Sequence, residues 1–410
     1  MSTPFEGKTI LLGVTGSIAA YKAADIASKL TQMGALVDVV LTQSALEFMT
    51  PLTFQSVTGR KAYVDADLWG GIGHVTHIGL GRAADLVVIA PCSANTMAKL
   101  ARGIADNLLT VAILASHCPV LIAPAMDAGM YSHPATQENV EILRQRGVRF
   151  VGPAEGHLAS GLVGVGRMTE PVEILGHIRY ILAQGGKLAG QKVVVTAGGT
   201  QEPIDPVRAI INHSSGKQGY ALAQAALDGG ATVTLIHGPT ALPMPVGAKE
   251  IGVQTAAQMF AATLAESSDA DALLMAAAVA DFRPVQMAAN KIKKEGGVPE
   301  LKLESTEDIL AAVAERKAQS GFPRVTVGFA AESQALIESA QAKLKHKRLD
   351  WIVANDITAP DAGFAVDTNR VILLDADGTQ ESLPLMSKTD VAEAIVKRVA
   401  ERLAELRKRV

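Results

Sequence analysis

The stretch from Lys192 to Leu227 combines residue types that could bind an anion. A run of valines from Val193 predicts a buried strand, which ends at a glycine pair and gives way to a long polar loop. The loop closes on Asn212–Gly216, directly before an alanine-rich helical segment. Free backbone N–H groups and the helix dipole at such a position attract negative charge. The alternative is that Ser214 or Ser215 only caps the helix.

Charged residues further along the chain could complete such a site. Asp281 follows a buried apolar strand, where a carboxylate can hold a ribose hydroxyl or Mg²⁺. Lys291 opens the segment Lys291–Lys294, and Lys343 and Lys347 share one helix face at a spacing of four. Cations of this kind stabilise phosphate groups. A solvated lysine run is the alternative interpretation of the 291–294 segment.

Loops rich in hydroxyl groups recur in the first half of the chain. Gly16-Ser17, Thr42 with Ser44, and Ser93–Thr96 each follow an apolar strand run. Their hydroxyls and backbone N–H groups should therefore lie at one sheet edge, where they suit a single phosphate group. The alternative is that they are turn and cap residues only.

Two histidines, His74 and His77, lie in the same half. A lone histidine is more often structural than catalytic, and both interpretations stay open from the chemistry alone. The chain has no G-x-x-x-x-G-K-[ST] phosphate loop, no G-x-S-x-G elbow and no His/Cys cluster with zinc spacing. The turn Gly13-x-x-Gly16 lacks the middle glycine of the dinucleotide fingerprint, which argues against NAD.

The composition bounds the domain count and the partners. With 410 residues, 48% hydrophobic and 19% charged, the chain is long enough for two or three globular domains. A net charge of −3 offers no basic field to nucleic acid or to an anionic membrane. Two cysteines cannot build a disulfide framework, and no apolar run reaches the ~18 residues that span a bilayer. We therefore expect a cytoplasmic protein that binds neither nucleic acid nor membranes.

The elements that must position these residues follow one pattern twice. Apolar strand runs alternate with helical runs from Lys8 to about residue 151, and the pattern restarts after a linker at Gln184–Gly190. This predicts an α/β fold of two doubly wound, Rossmann-like domains, 1–188 and 189–410. Ligands of such sheets lie beyond the carboxyl ends of the strands, where the loops above are found. The glycine-rich segment Gly152–Glu170 is interpreted as a mobile flap.

Several motifs of the first domain occur in a fixed order: His77-Ile78-Gly79-Leu80, Ala84-Asp85-Leu86, Pro91-x-Ser93-Ala94-Asn95-Thr96, Gly103-Ile104-Ala105-Asp106-Asn107-Leu108-Leu109 and Pro124-Ala125-Met126. Over about residues 6–180 they resemble the flavin-dependent cysteine decarboxylases, the family of phosphopantothenoylcysteine and lantibiotic decarboxylases. The resemblance implies a flavodoxin-like domain that binds FMN, with His77 as the catalytic histidine. It also implies trimers that build the site between subunits, within a dodecamer. The implied FMN contacts are Gly16, Ser17, Ile18, Thr42, Ser44, Ser93, Ala94, Asn95, Thr96 and Ala125.

Two residues depart from that family's usual pattern. Asp127 follows Pro-Ala-Met, where the family usually has an asparagine whose amide can bind the substrate carboxylate. Ser160 stands in the flap where the coenzyme A members carry a cysteine that protonates an enethiol. A serine hydroxyl is a far weaker acid, so Asp127, water or Cys92 must supply the proton, or the second half-reaction is slow. Asp127 and Ser160 are nevertheless the catalytic candidates at these positions, and loss of activity in this domain is the alternative.

A second group of motifs lies between about residues 190 and 400: Thr196-Ala197-Gly198-Gly199-Thr200, Glu202-Pro203-Ile204-Asp205-Pro206-Val207-Arg208, Asn212-x-Ser214-Ser215-Gly216, Ala276–Asp281, Lys291–Lys294, Gly328–Glu332 and Ala354-Asn355-Asp356. They resemble phosphopantothenate–cysteine ligase. The resemblance implies that CTP contacts Asp281, Lys291, Thr306, Glu307, Asp308, Ile309, Phe329, Lys343 and Lys347. It also implies that Asn212 stabilises an acyl-cytidylate and that the ligase domain is dimeric. Thr306-Glu307 replaces the family's usual Asn-Pro.

Both resemblances together imply a bifunctional coenzyme A biosynthesis enzyme. Its substrates would be 4′-phosphopantothenate, cysteine and CTP, its cofactors FMN and Mg²⁺, and its product 4′-phosphopantetheine. Two alternatives remain. Only the ligase is active and the first domain releases an enethiol, or the first domain is a flavin-binding scaffold without turnover.

Overall fold

The computed structural model describes residues 3–69, 75–293, 300–332, 336–356 and 366–408. The chain divides into two compact units, with the boundary between Leu182 and Ala183. We call them the N-terminal unit and the C-terminal unit. No helix within the described ranges is both long and apolar enough to cross a membrane.

The N-terminal unit alternates strands with helices. Its strands are β1 (Thr9–Val14), β2 (Leu36–Leu41), β3 (Ala62–Tyr63), β4 (Leu86–Cys92), β5 (Val120–Pro124), β6 (Arg149–Phe150), β7 (Ala154–His157) and β8 (Val163–Arg167). Its helices are α1 (Ala20–Gln32), α2 (Pro51–Thr58), α3 (Thr76–Ala83), α4 (Ala94–Arg102), α5 (Leu108–Leu114), α6 (Ala128–Ser132), α7 (Pro134–Gln145) and α8 (Pro171–Ala183).

Six of these strands form one parallel sheet in the order β3-β2-β1-β4-β5-β6. Successive residues of β1 pack on opposite sides: Ile10 and Leu12 belong to one hydrophobic cluster, and Leu11 belongs to another. A strand that is apolar on both faces must be covered by helices on both faces, because parallel sheets bury both sides. The predicted doubly wound α/β fold is confirmed in this unit.

Two local features of this unit differ from what the apolar pattern indicates. The pattern from the Ser93–Thr96 loop to Leu114 predicts one helix, but the chain forms two, α4 and α5. Gly103 ends α4 in a left-handed conformation, and Asn107 starts α5 with a capping box to Thr110. The flap contains regular structure, since β7 and β8 pair as an antiparallel hairpin.

The C-terminal unit contains the remaining elements. Its strands are β9 (Lys192–Ala197), β10 (Gln201–Pro203), β11 (Ala209–Ile211), β12 (Thr232–His237), β13 (Lys249–Gly252), β14 (Ala272–Met275), β15 (Phe282–Pro284), β16 (Leu303–Ser305), β17 (Val325–Glu332), β18 (Trp351–Asp356), β19 (Thr368–Asn369), β20 (Val371–Asp375), β21 (Gln380–Ser382) and β22 (Met386–Ser387). Its helices are α9 (Lys217–Asp228), α10 (Ala256–Ser267), α11 (Ile309–Ser320), α12 (Leu336–His346) and α13 (Lys388–Lys408).

The main sheet of this unit has the order β13-β12-β9-β14-β17-β18-β20-β21. Its strands from β13 to β18 are parallel, and β20 and β21 add an antiparallel hairpin at the edge, as the Asp377-Gly378 turn predicts. The spacing of Val391, Ile395, Val399 and Leu403 predicts an amphipathic helix, and all four side chains are buried on one face of α13. Three small antiparallel pairs, β10-β11, β15-β16 and β19-β22, were not expected because their strands are only two or three residues long.

Candidate functional site

In the N-terminal unit the strand order reverses between β1 and β4, and the loops that follow these strands are hydrogen-bonded to each other. The Thr15 hydroxyl donates to the Pro91 carbonyl at 2.8 Å and accepts the Ser93 N–H at 2.9 Å. A reversal of this kind opens a crevice at the carboxyl edge of a doubly wound sheet. Thr15 was not among the predicted site residues. It joins the loop after β1 to the loop after β4, and both of these loops contain predicted site residues.

The loops after β1 and β2 also approach each other closely. A Cβ placed on Gly16 would lie 2.5 Å from the Ser44 Cβ, so only glycine fits there. Thr42 is buried, and its hydroxyl oxygen has no hydrogen-bond partner among the described residues. A buried hydroxyl without a partner is costly, which is consistent with a polar ligand group at this point.

The loop after β4 presents a helix N-terminus to the same edge. Ser93 caps α4 by accepting the Thr96 N–H at 3.3 Å, and Ala94 and Asn95 form the first turn. Ala125, at the end of β5, is buried and donates its N–H to the Cys92 carbonyl at 3.0 Å. The ten predicted flavin contacts therefore follow four adjacent strands, in spatial order β2, β1, β4 and β5.

His77 lies in the first turn of α3. Its Nδ1 is buried and has no hydrogen-bond partner among the described residues. His74 lies outside the described residues, so only His77 can be placed. An imidazole nitrogen that is shielded and unpaired is available to a ligand, which suits proton transfer better than a structural role.

Asp127 and Ser160, the two departures from the decarboxylase pattern, contact each other. Asp127 is the N-cap of α6, where its Oδ1 accepts the Gly129 N–H at 2.9 Å. The Ser160 hydroxyl donates to Oδ2 of the same carboxylate at 2.6 Å. The hydrogen bonds from Ser160 and Gly129 hold the pKa of Asp127 below its ordinary value. The sequence placed both residues near one substrate but gave no sign that they bind each other.

The flap hairpin lies directly on the α6 region. The Met126 N–H donates to the Gly166 carbonyl at 3.0 Å, and a Cβ on Gly164 would lie 2.8 Å from the Ala128 Cβ. Glycines in β8 thus allow the hairpin to approach the backbone of 126–128, which brings Ser160 within reach of Asp127.

These contacts argue against two of the proton sources considered for this site. Asp127 accepts two hydrogen bonds with a lowered pKa, so it is ionised and holds no proton to donate at neutral pH. Cys92 is fully buried, and burial raises the pKa of its thiol far above the usual range. Water is the remaining candidate of the three.

The C-terminal unit encloses a cavity of about 790 Å³ at the carboxyl edge of its sheet. Eight of the nine predicted nucleotide contacts, and Asn212, line it: Asp281, Thr306, Glu307, Asp308, Ile309, Phe329, Lys343 and Lys347. They come from β14, β17, α11 and α12 and their loops, so the fold gathers residues that are far apart in sequence. The volume lies in the range of small-molecule sites, about 300–1,000 Å³.

One wall of the cavity is the segment 276–281 that follows β14. The Thr200 hydroxyl accepts the Ala280 N–H at 2.9 Å, and the Thr306 hydroxyl donates to the Ala280 carbonyl at 2.7 Å. The side-chain amide of Asn212 donates to the Val279 carbonyl at 3.0 Å. This hydrogen bond uses the amide nitrogen and fixes the Asn212 side chain against this wall. The carbonyl oxygen of the same amide takes no part in it.

The N-terminus of α9 faces the same cavity through Gly216, Lys217, Gln218 and Gly219. Gly216 is the N-cap with φ of 74°, a left-handed conformation that favours glycine, so neither Ser214 nor Ser215 is the N-cap residue. The Ser214 hydroxyl instead accepts the Gly216 N–H at 3.4 Å, just ahead of the helix. The first turn of this twelve-residue helix lines the cavity, so its free N–H groups and the positive end of the dipole lie at the cavity.

Lysines and carboxylates also line the cavity. Lys347 forms an ion pair with Asp308, which also caps α11 by accepting the Ala311 N–H at 3.0 Å. Burial lowers the pKa of Lys347. Lys343 lies one turn earlier on α12 and lines the same cavity.

Lys291 is the predicted nucleotide contact that does not line the cavity. It is exposed on the loop after β15, and Lys294 lies outside the described residues. Within the described ranges no group of three or more His, Cys, Asp or Glu side chains is arranged to hold a metal. Mg²⁺ at Asp281 would therefore need nucleotide phosphates as further ligands.

Residues that sequence reasoning did not select also line this cavity, among them Lys388, Asn355 and Asn369. Lys388 is only 7% exposed, and Asn355 Oδ1 is buried with no partner among the described residues. Asn355 stands in a motif that carried the ligase resemblance, which could have drawn attention to it. Lys388 is the first residue of α13 and gave no such signal.

Comparison with known proteins covers both units. The Flavoprotein family matches residues 1–182, and the family described as DNA/pantothenate metabolism flavoprotein C-terminal domain matches residues 188–403. The chain is 46% identical over 398 residues to the coenzyme A biosynthesis bifunctional protein CoaBC of Bacillus subtilis, covering 96% of this chain and 97% of that protein. The corresponding protein of Vibrio cholerae is 45% identical over 402 residues, covering 97% and 99%. That of Mycobacterium tuberculosis is 44% identical over 409 residues, covering 97% of each chain.

Proposed function

The chain belongs to the family of coenzyme A biosynthesis bifunctional proteins, and on that basis we propose how its two units divide the work. It is a bifunctional enzyme of coenzyme A biosynthesis. The C-terminal unit joins cysteine to 4′-phosphopantothenate at the expense of CTP. The N-terminal unit, a flavoprotein domain, then decarboxylates 4′-phosphopantothenoylcysteine to 4′-phosphopantetheine with bound FMN.

The ligase reaction needs an activated carboxylate. The 4′-phosphopantothenate carboxylate attacks the α-phosphate of CTP, and pyrophosphate leaves. The cysteine amine then attacks the acyl-cytidylate, and CMP leaves as the amide forms. Negative charge grows on the phosphates in the first step, so fixed N–H dipoles and cations lower the barrier. The first turn of α9 and the lysines of α12 supply both in one cavity.

The single observation that supports this site best is the convergence of Asn212, Asp281, 306–309 and Phe329 on one cavity of about 790 Å³. Asp281 holds a ribose hydroxyl or, with the phosphates, Mg²⁺. Phe329 contributes an apolar surface for the base. Asn212, held by Val279, stabilises the acyl-cytidylate, and Lys291 arrives from its loop to neutralise the phosphates.

The fit of FMN to the N-terminal unit rests on the Thr42 hydroxyl and on His77 Nδ1, which have no hydrogen-bond partner within the described part of the chain. When bound, FMN supplies the oxidation of the cysteinyl thiol to a thioaldehyde and the later reduction. Thr42, Ser44 and the N-terminus of α4 bind its phosphate, and Gly16 allows the two loops to close around it. His77 exchanges a proton with the substrate, and the flap lies against residues 126–128 beside the Asp127–Ser160 contact.

A second candidate function is favoured by the Ser160–Asp127 contact. The Ser160 hydroxyl is already committed to a carboxylate, and no thiol stands in its place. A slow final protonation would let the N-terminal unit release an enethiol instead of the thiol. A flavin-binding scaffold without turnover is the limiting case.

Assembly is the remaining part of the proposal. We infer trimers of the N-terminal unit within a dodecamer and dimers of the C-terminal unit. Several large apolar side chains of the N-terminal unit are exposed to solvent: Ile18 is 60%, Tyr21 60% and Trp69 89% exposed. In the C-terminal unit, Val207 and Ile211 are likewise exposed. Mass photometry of the full chain tests this, and a monomer at micromolar concentration would contradict it.

The functional test uses the purified full chain with 4′-phosphopantothenate, cysteine and CTP, followed by mass spectrometry. We expect pyrophosphate, CMP and 4′-phosphopantetheine, and a flavin absorption spectrum from the protein. Accumulation of 4′-phosphopantothenoylcysteine would mean that only the ligase is active. A product that is lighter than 4′-phosphopantothenoylcysteine by CO₂ and two hydrogen atoms, and therefore lighter than the thiol by two hydrogen atoms, would identify the enethiol.

A further inference from the structure

A buried carboxylate joins the loop that carries Lys291 to a distant turn. Asp205 is 2% exposed, and its Oδ1 accepts the N–H groups of Val207 at 2.8 Å and Arg208 at 2.9 Å. Its Oδ2 accepts the Arg208 Nε–H at 2.9 Å and the Ile292 N–H at 3.1 Å. Four donors thus converge on one side chain, and one of them lies 87 residues along the chain.

Arg208 makes the second half of the same connection. Its guanidinium pairs with Asp205 and donates to the Ile292 carbonyl at 2.6 Å. Ile292 therefore has both its N–H and its carbonyl held by this pair. A further backbone bond, from the Ala288 N–H to the Ile204 carbonyl at 2.9 Å, ties the start of the loop to the same turn.

We propose that Asp205 and Arg208 are positioning residues for Lys291: they hold the peptide of Ile292 and thereby aim the Lys291 side chain at the phosphates of the bound nucleotide. This inference rests on the proposed role of Lys291 in the ligase reaction. It assigns a chemical task to the Glu-Pro-Ile-Asp-Pro-Val-Arg segment, whose residues do not themselves line the cavity.

The charges explain why such a connection is needed. Lys291 is exposed on a loop of few apolar residues, so packing alone does not fix it. Burial alone would raise the pKa of Asp205, but the N–H groups of Val207 and Ile292 and the Arg208 guanidinium hold that pKa far below its ordinary value. The Asp205–Arg208 pair, which we call the clamp, is therefore charged throughout the working pH range. A charge-assisted hydrogen bond fixes the loop more strongly than a neutral one.

The alternative is that Asp205 only stabilises its own turn, and three variants distinguish the two. Asp205→Asn removes the charge. Arg208→Gln leaves the two backbone N–H bonds to Asp205 Oδ1 intact while removing the bond to Ile292. Asp271→Asn is the matched control, because Asp271 also accepts a backbone N–H, from Lys192 at 2.9 Å, and faces Arg324 at 3.5 Å, but does not contact the Lys291 loop.

The readout is the reactivity of Lys291 toward acetic anhydride, measured by peptide mass spectrometry with and without saturating CTP, together with steady-state ligation. In the parent chain we expect CTP to protect Lys291. In Asp205→Asn and Arg208→Gln we expect CTP to bind but protection to be lost. Misplacement by about 1 Å costs on the order of 100-fold, so kcat should fall about 10- to 100-fold with KM for CTP little changed. Arg208→Lys should restore part of the loss.

Two further results separate this inference from the function on which it rests. If Lys291→Gln blocks ligation while Asp205→Asn and Arg208→Gln keep both protection and kcat, the positioning role is wrong and the ligase assignment stands. If Lys291→Gln itself ligates normally, the role of Lys291 fails, and the positioning role fails with it. In support of the inference, Asp205→Asn should add nothing to Lys291→Gln, since the clamp acts only through that lysine.

Discussion

The parallel strands of the N-terminal unit run in the spatial order 3-2-1-4-5-6, and the parallel strands of the C-terminal unit, counted along the chain from β9, repeat that order. The residues at the two switch points have different surroundings. In the C-terminal unit, Asn212, Asp281 and Phe329 line one cavity. In the N-terminal unit, Ile18 and Trp69 are largely exposed, and the Thr42 hydroxyl and His77 Nδ1 have no hydrogen-bond partner among the described residues.

The difference shows that topology fixes where a site lies but not which segments and side chains form its walls. The C-terminal unit extends β14 into the 276–281 segment and closes it with Thr200 and Thr306. The N-terminal unit covers its sheet edge with a glycine-rich hairpin held by Asp127 and Ser160. Its exposed apolar residues are consistent with a site completed by a ligand and a second subunit.

If the two units carry separate activities, a change in one unit should abolish its own reaction and leave the other reaction intact. His77→Asn should lower decarboxylation about 10²- to 10⁴-fold, since a positioned general acid–base contributes that much. Ligation should be unchanged. Release of CO₂ from supplied 4′-phosphopantothenoylcysteine measures the first activity, and pyrophosphate release measures the second.

The matched control is His177→Asn, because His177 is a partly buried histidine on α8 of the same unit. It should decarboxylate at the parent rate. Equal losses in both variants would mean that histidine substitutions merely destabilise the unit, and His77 would lose its assigned role.

The reciprocal change is Lys291→Gln, which should lower ligation about 10²- to 10³-fold, the usual cost of removing one group that stabilises transition-state charge. Decarboxylation and the flavin spectrum should stay at parent values. Lys293→Gln removes an equally exposed lysine from the same loop and should have little effect. A similar fall in both lysine variants would point to the net charge of the loop rather than to Lys291.

Loss of the hydrogen bond between Ser160 and Asp127 should have a smaller effect, which is measured as faster proteolysis of the flap. Ser160→Ala and Asp127→Asn each weaken or remove the same contact, so the double variant should open the flap no further than either single change. We expect a several-fold faster protease cut within 158–162 in all three. Because the pKa of Asp127 lies below the ordinary value of 3.8, the contact should persist at neutral pH and be lost only as pH falls through that lowered pKa. Additive effects on cleavage would show that the two residues act separately.

The sequence predicted the elements that carry the two sites better than the contacts between them. Long buried strands such as β1, β9 and β14 were visible as apolar runs, because both faces of a parallel strand are buried. The hairpin β7-β8 was missed because its glycines, which allow it to pack on 126–128, erase the alternation that marks a strand.

Residue identity likewise suggested functions but not partners. Asp127 and Ser160 were selected separately, since nothing in a sequence shows that residues 33 apart share a hydrogen bond. Asp205 was only part of a motif, and its bond to the Ile292 N–H depends on tertiary structure. Lys388 was not selected at all, because burial of a lysine at a helix start follows from the packing of α13 and not from its neighbours in sequence.

The last expected effect concerns Thr42, whose hydroxyl is buried without a partner among the described residues. Thr42→Val keeps the shape and removes the polar atom. If FMN phosphate is the missing partner, flavin affinity should fall about tenfold, since a hydrogen bond to a charged group contributes about 1.5–3 kcal/mol. The free energy of unfolding of the flavin-free protein should instead stay level or rise by about 1 kcal/mol, because an unsatisfied buried hydroxyl has been removed. Flavin fluorescence titration and chemical denaturation measure the two quantities, and Thr42→Ser, which keeps the hydroxyl, should bind flavin nearly as well as the parent. A loss of flavin-free stability with unchanged affinity would mean that Thr42 is satisfied within the chain, and the case for an incomplete site in the N-terminal unit would then rest on His77 alone.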